Sequence, residues 1–131
     1  MLDRGLRPRA QTLTIATDGA MIRSASNAES NAMKEAARSV NGVPIRLTYE
    51  RWYHIVENHD ELVGSFHEVL ETIERPQLIV RGNRGALKAA RSLGKRRWLV
   101  VVYREVTRRD GFVITAYLLD RKPRGKLAWQ R

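Results

Sequence analysis

At Pro76 the spacing of apolar residues changes from alternating threes and fours to twos, and this switch of period constrains the fold more than any other feature of the chain. Before it, Phe66, Val69, Leu70 and Ile73 make the buried stripe of a short helix, with His67 and Glu71 pointing away. Ser65 and Glu68 have the spacing of a capping box, and Pro76 stops the run. An earlier helix is expected from Thr48, as N-cap, to about His59, with Glu50 well placed in its first turn. Trp52, Ile55, Val56 and His59 fall on one face of that helix, and Arg51, His54 and Asn58 on a neighbouring stripe. A brief extended piece, Val43 to Leu47, precedes it.

After Pro76, strands are expected at Gln77 to Arg81, Ala86 to Leu93, Trp98 to Val106 and Phe112 to Asp120, with a last edge strand at Lys126 to Gln130. The second of these would also suit a helix. Gly82-Asn83-Arg84-Gly85 and Arg108-Arg109-Asp110-Gly111 are the turns. Strict alternation places Val113, Thr115, Tyr117 and Leu119 on one face, and puts Lys88 and Arg91 on opposite faces. The expected fold class is therefore α+β: two N-terminal helices packed on one face of a four- or five-stranded antiparallel meander spanning residues 41–131.

Residues 1–40 are poor in large apolar groups and read as a linker or flexible segment, with a short strand possible at Gln11 to Ala16. Whether they join the domain to something upstream, or a compact unit begins at Met33, the sequence leaves open. No run reaches the roughly 18 apolar residues of a membrane span, and no secretory signal is evident, so the cytoplasm is the expected compartment and no membrane partner is expected. The absence of cysteine excludes a disulfide frame, a thiolate metal site and a cysteine nucleophile.

Charge is unevenly distributed along the chain. Residues 1–40 carry +2, residues 41–74 carry −5 with only two basic residues, and residues 75–131 carry +13 with only three acidic ones. A field this polarised favours phosphate backbones or an acidic protein partner. Walker, dinucleotide-binding, serine-hydrolase and zinc-protease motifs are missing, so neither a cofactor nor a metal site is expected. His, Arg, Lys, Thr and Tyr remain. They suffice for RNA cleavage by the 2′-hydroxyl, which needs a base near neutral pKa, an acid for the leaving oxygen and fixed cations.

The run Leu47-Thr48-Tyr49-Glu50-Arg51-Trp52-Tyr53-His54-Ile55, with His59-Asp60-Glu61-Leu62, Trp98 to Val102 and Val113-Ile114-Thr115-Ala116-Tyr117, resembles the phage-associated nucleases of the barnase/EndoU/colicin/RelE-like superfamily over roughly residues 45–130. Asp60 departs from the proline expected in many of them. The resemblance implies a metal-independent endoribonuclease, toxin-like, paired with an antitoxin or immunity protein, which the charge would suit if acidic. It favours Arg51 and His54 as phosphate clamp and base, and Thr115 and Tyr117 as hydroxyls at the scissile phosphate. His59 is open between a core histidine and an acid or base at a cleft. Arg91 is the preferred cation for transition-state charge, since a guanidinium grips phosphate at two points. Lys88, Arg96, Arg97, Arg108, Arg109, Arg121, Lys122 and Arg124 are expected to hold the RNA backbone. Trp98 and Trp129 could stack on bases or pack in the core. A noncatalytic toxin or nucleic-acid-binding module is the alternative.

Overall fold

The computed structural model describes residues 34–131, so the strand expected at Gln11 to Ala16 and residues 1–33 of the expected 1–40 linker lie outside the described residues, while Lys34–Arg38 of that linker is a strand. Seven strands among these residues form one sheet in the order β1-β2-β6-β5-β4-β3-β7. They are β1 (Lys34–Arg38), β2 (Pro44–Thr48), β3 (Leu78–Arg81), β4 (Leu87–Gly94), β5 (Arg97–Thr107), β6 (Asp110–Leu119) and β7 (Leu127–Gln130). Helix α1 (Tyr49–Asn58), a 3-10 turn at Asp60–Leu62 and helix α2 (Phe66–Glu74) lie between β2 and β3.

This corrects the expected fold in two respects. The helices are not N-terminal to the sheet: two strands precede them, and the sheet has seven strands, not four or five. Nor is it a pure antiparallel meander, because β2 pairs in parallel with β6, Ile45 opposite Gly111 and Arg46 opposite Phe112. Lys-Glu-Ala-Ala-Arg in β1 consists of good helix formers, and its neighbour β2 overrides that preference by supplying the ladder. Two bonds close the turn between them, Ser39 N–H to Val43 C=O at 2.9 Å and Gly42 N–H to Ser39 C=O at 2.8 Å. Glu105 of β5 holds the same turn, accepting from the Ser39 hydroxyl at 2.5 Å and the Asn41 amide at 3.1 Å.

The helices begin and end close to where the sequence puts them. Thr48 caps α1, its Oγ1 accepting from Arg51 N–H at 3.0 Å. Ser65, by contrast, makes no side-chain cap bond, so the capping-box spacing goes unused. Helix α2 buries Val69 and Ile73 against Ala89 of β4 and Leu99 and Val101 of β5, together with Ile55 and Leu62, in the main core. One α2 carboxylate, Glu71, pairs across this layer with Arg91 of β4 at 3.2 Å.

A second, smaller cluster occupies the other sheet face: Leu78, Val80, Ala90 and Val100, flanked by Trp98, Tyr117 and Leu119. It contains no helix residue. The chain itself crosses this face, since β6 and β7 are separated by β5, β4 and β3 and the connection is residues 120–126. Gly125 makes that crossing possible at close quarters. Its φ is 142°, and an added Cβ would stand 3.2 Å from Val80 Cβ and 3.1 Å from Arg81 C=O. Arg81 N–H bonds the Lys126 carbonyl at 2.8 Å as the strap reaches the sheet edge.

Strict alternation fails at one point of β6. Thr115 stands opposite Val102, but Val113 stands opposite Tyr103, with a register shift between. The bulge sends Val113 to the helix-bearing face, while Thr115, Tyr117 and Leu119 stay on the other, so the expected four-residue face loses Val113.

Candidate functional site

Beyond Phe112, β6 has no strand partner on its β2 side, and α1 runs past it instead. The first turn of α1 places Arg51 in a cleft of 210 Å³ with Arg46, Thr48, Phe112 and Val113. One turn later Ile55 is buried. At the cap, His59 brings its ring to 6.1 Å from the ring of Tyr117, tilted by 42°. Arg51 and His59 thus lie at two ends of one seam along β6, with the bulge between them, His59 brought there by the non-helical backbone of the cap. His59 is partly exposed, its Nδ1 lying 3.7 Å from Glu61.

Thr115 shares the sheet face of Tyr117, two residues away along β6. Lys88 belongs to the same face, opposite Val80 and Val102. Arg104, opposite Phe112, extends it, and its guanidinium lies where a side chain on Gly85 would be met at 3.6 Å. The sequence reading did not single out Arg104 or Arg46. For Arg46 the signal was present, since it alternates with buried Ile45 and Leu47 and must point the other way. Arg46 grips Asp110 through two bonds, Nε to Oδ1 at 2.7 Å and a second guanidinium nitrogen to Oδ2 at 3.1 Å, and this pairing raises its pKa.

Other expected site residues lie apart. His54 is on the solvent flank of α1 beside Arg51, its Nδ1 3.5 Å from Glu57 and its ring against Tyr53. Arg91 stands opposite Leu99 on the helix-bearing side, where its guanidinium is engaged by Glu71. The period of β4 gives the reason: with Lys88 on the Tyr117 face, an odd spacing sends Arg91 to the reverse. The expected grouping of Arg91 with Tyr117 is therefore corrected, and Lys88 is the β4 cation on that face.

Of the expected backbone-holding cations, Arg96 and Arg97 sit at one end of the eleven-residue β5 and Arg108 and Arg109 just beyond the other, about 33 Å away. Arg121, Lys122 and Arg124 lie on the strap that crosses the face. Arg121 pairs with Asp120 at 3.2 Å, which holds that carboxyl below its ordinary value. Lys122 makes no ion pair with a described residue and lines a cleft with Leu78, Trp98 and Gln130.

The two sides of the molecule thus differ in charge. The α1–α2 segment carries seven of the carboxylates, whereas the strap and the Tyr117 face carry mainly cations. Among the described residues, no helix is long and apolar enough to cross a membrane, and no three His, Asp or Glu side chains gather as a metal-holding group. Compared with known proteins, the chain matches no family model, no curated protein and no solved structure.

Proposed function

We propose that this domain is a toxin-like endoribonuclease that cuts RNA without a metal ion, using the seam between α1 and β6. The observation that carries the reading is the approach of His59 to Tyr117, rings 6.1 Å apart, at the margin of a sheet face whose charged strand side chains, Lys88 and Arg104, are both cations. In this scheme His59 removes the proton from the ribose 2′-hydroxyl as that oxygen bonds to phosphorus. The phosphorus–O5′ bond breaks, and the departing oxygen takes the Tyr117 proton. The products are a 2′,3′-cyclic phosphate and a 5′-hydroxyl. Thr115 donates a hydrogen bond to a non-bridging oxygen, and Arg51 and Lys88 offset charge building on the phosphorane. His54, on the outer flank beside Arg51, guides the strand toward the seam. The same charge pattern suits an acidic antitoxin or immunity protein.

A noncatalytic RNA-binding reading is favoured by a different observation: Glu71 engages Arg91 and Glu57 lies beside His54, leaving fewer groups for chemistry. End-labelled tRNA, rRNA and mRNA incubated with the protein in excess EDTA separate the two. Cutting that leaves 2′,3′-cyclic phosphate ends, reduced about 10²- to 10⁴-fold by His59→Ala, is the expected result. Salt-sensitive binding with every RNA left intact would end the enzyme reading and leave the binding module.

A further inference from the structure

At the end of the bare sheet face remote from Arg104, the strap over β5, β4 and β3 leaves an open cleft of 490 Å³. Its floor is Leu78 and the partly exposed Trp98, and its walls include Gln77, Lys122, Gln130 and Arg131. The composition is specific: an indole, two primary amides and three cations, of which Arg91 reaches the rim from the helix-bearing side and is paired with Glu71, while Lys122 and Arg131 meet no described carboxylate. Gln77 is held in place, its Oε1 accepting from Ser92 N–H at 2.5 Å, so its amide N–H groups are left to face a ligand. Arg131 is fixed by its backbone N–H to Gln77 C=O at 3.1 Å and by a guanidinium bond to Arg75 C=O at 3.3 Å. Tight fixing of polar groups around an aromatic floor is how sites for small polar ligands are built, and the volume lies within the usual range of about 300–1,000 Å³.

We infer that this cleft binds one nucleotide of a single-stranded RNA, its base stacked on Trp98, its edge met by the Gln77 and Gln130 amides and its phosphate held by Lys122 and Arg131. The inference rests on the reading of this face as an RNA surface and adds where the strand runs. Trp98 flanks Val100 with Tyr117, and Leu78, at the far side of the cleft, is three strands from Tyr117, about 14 Å across the ladder. A strand gripped here is led across the face to the seam where His59 waits. Stacking tolerates any base, so the cleft sets the path and not the sequence.

The test uses the indole N–H resonances of the three tryptophans, Trp52, Trp98 and Trp129, in the full-length chain titrated with adenosine 5′-monophosphate. The Trp98 signal, assigned with Trp98→Phe, is expected to move with a dissociation constant of about 1 mM or below, and the Trp52 signal to stay. Lys122→Ala, a change at an exposed position of the strap, is expected to weaken binding about 3- to 10-fold. Ribose 5-phosphate, which lacks a base, is expected to bind at least about tenfold more weakly. An unmoved Trp98 signal, equal affinity for ribose 5-phosphate, or indifference to both Lys122→Ala and Gln130→Ala overturns the inference. Its failure is separable from that of the proposed function: RNA cut by a protein whose Trp98 ignores the nucleotide removes the cleft alone, and a responsive Trp98 in a protein that never cuts RNA removes the chemistry alone.

Discussion

The Tyr103 hydroxyl is fully buried and has no hydrogen-bond partner among the described residues. Burial first, and the nearby Glu105 carboxylate second, push its pKa far above the ordinary 10.0. A phenol held neutral in the fold but free to ionise when unfolded lends stability that is complete below about pH 10 and declines as pH rises beyond it. Tyr103→Phe removes the unpaired polar atom and keeps the ring. It is expected to raise the melting temperature at pH 7, by an amount equivalent to about 1–3 kcal/mol, and to flatten the alkaline limb of the stability profile. A melting temperature that falls would mean the hydroxyl has a partner after all. His59 differs in both respects, since its ring is partly exposed and has neighbours on two sides, the Tyr117 ring at 6.1 Å and Glu61 at 3.7 Å.

At the scale of elements, the parallel contact of β2 with β6 depends on one small residue. Gly111 is opposite Ile45, and an added Cβ would come 2.6 Å from Ile45 Cδ1 and 2.5 Å from the Arg104 carbonyl oxygen. The Ile45 methyl is a side-chain end and can turn aside, but the Arg104 carbonyl is backbone of β5 and cannot yield without opening the sheet beside β6. Gly111→Ala is therefore expected to destabilise by about 1–3 kcal/mol, seen as a lower urea midpoint with an unchanged slope; an unchanged midpoint would show that the two strands can part at no cost. This contact also marks the limit of what the sequence could reveal. Periodicity located α1, α2 and the strands after Pro76, because those signals are carried by residues three, four or two apart. It also separated Lys88 from Arg91. The pairing of residue 45 with residue 111 has no local signature, and Lys34–Arg38 is a strand only because β2 lies beside it. The bulge before Thr115 is equally silent, since Val113 and Thr115 are both β-branched residues that suit a regular strand. At the candidate site the helix side was readable residue by residue, whereas the meeting of His59 with Tyr117, and the separation of Arg91 from both, came from how the elements are laid side by side.

For the whole molecule, polarity is the organising property: carboxylates on the helix layer, cations over the sheet face and its strap. If RNA lies on that face with about four phosphates held by Lys88, Arg104, Lys122 and Arg124, the logarithm of the binding constant should fall with the logarithm of salt concentration at a slope near about −3. Replacing Arg124 with Ala should lower the slope by roughly one unit without changing which RNA is preferred, measured by fluorescence anisotropy across a salt series. A slope near zero would show that binding is not driven by counterion release. The parallel β2–β6 join has a further consequence for the order of events during synthesis. Translation at about 5–20 residues per second places Gly111 in the growing chain roughly 3–13 s after Ile45, and the first two strands have no inner neighbour until then. The seam between α1 and β6 shares this delay, because its helix side is made well before Asp110–Leu119 is added to lie against it.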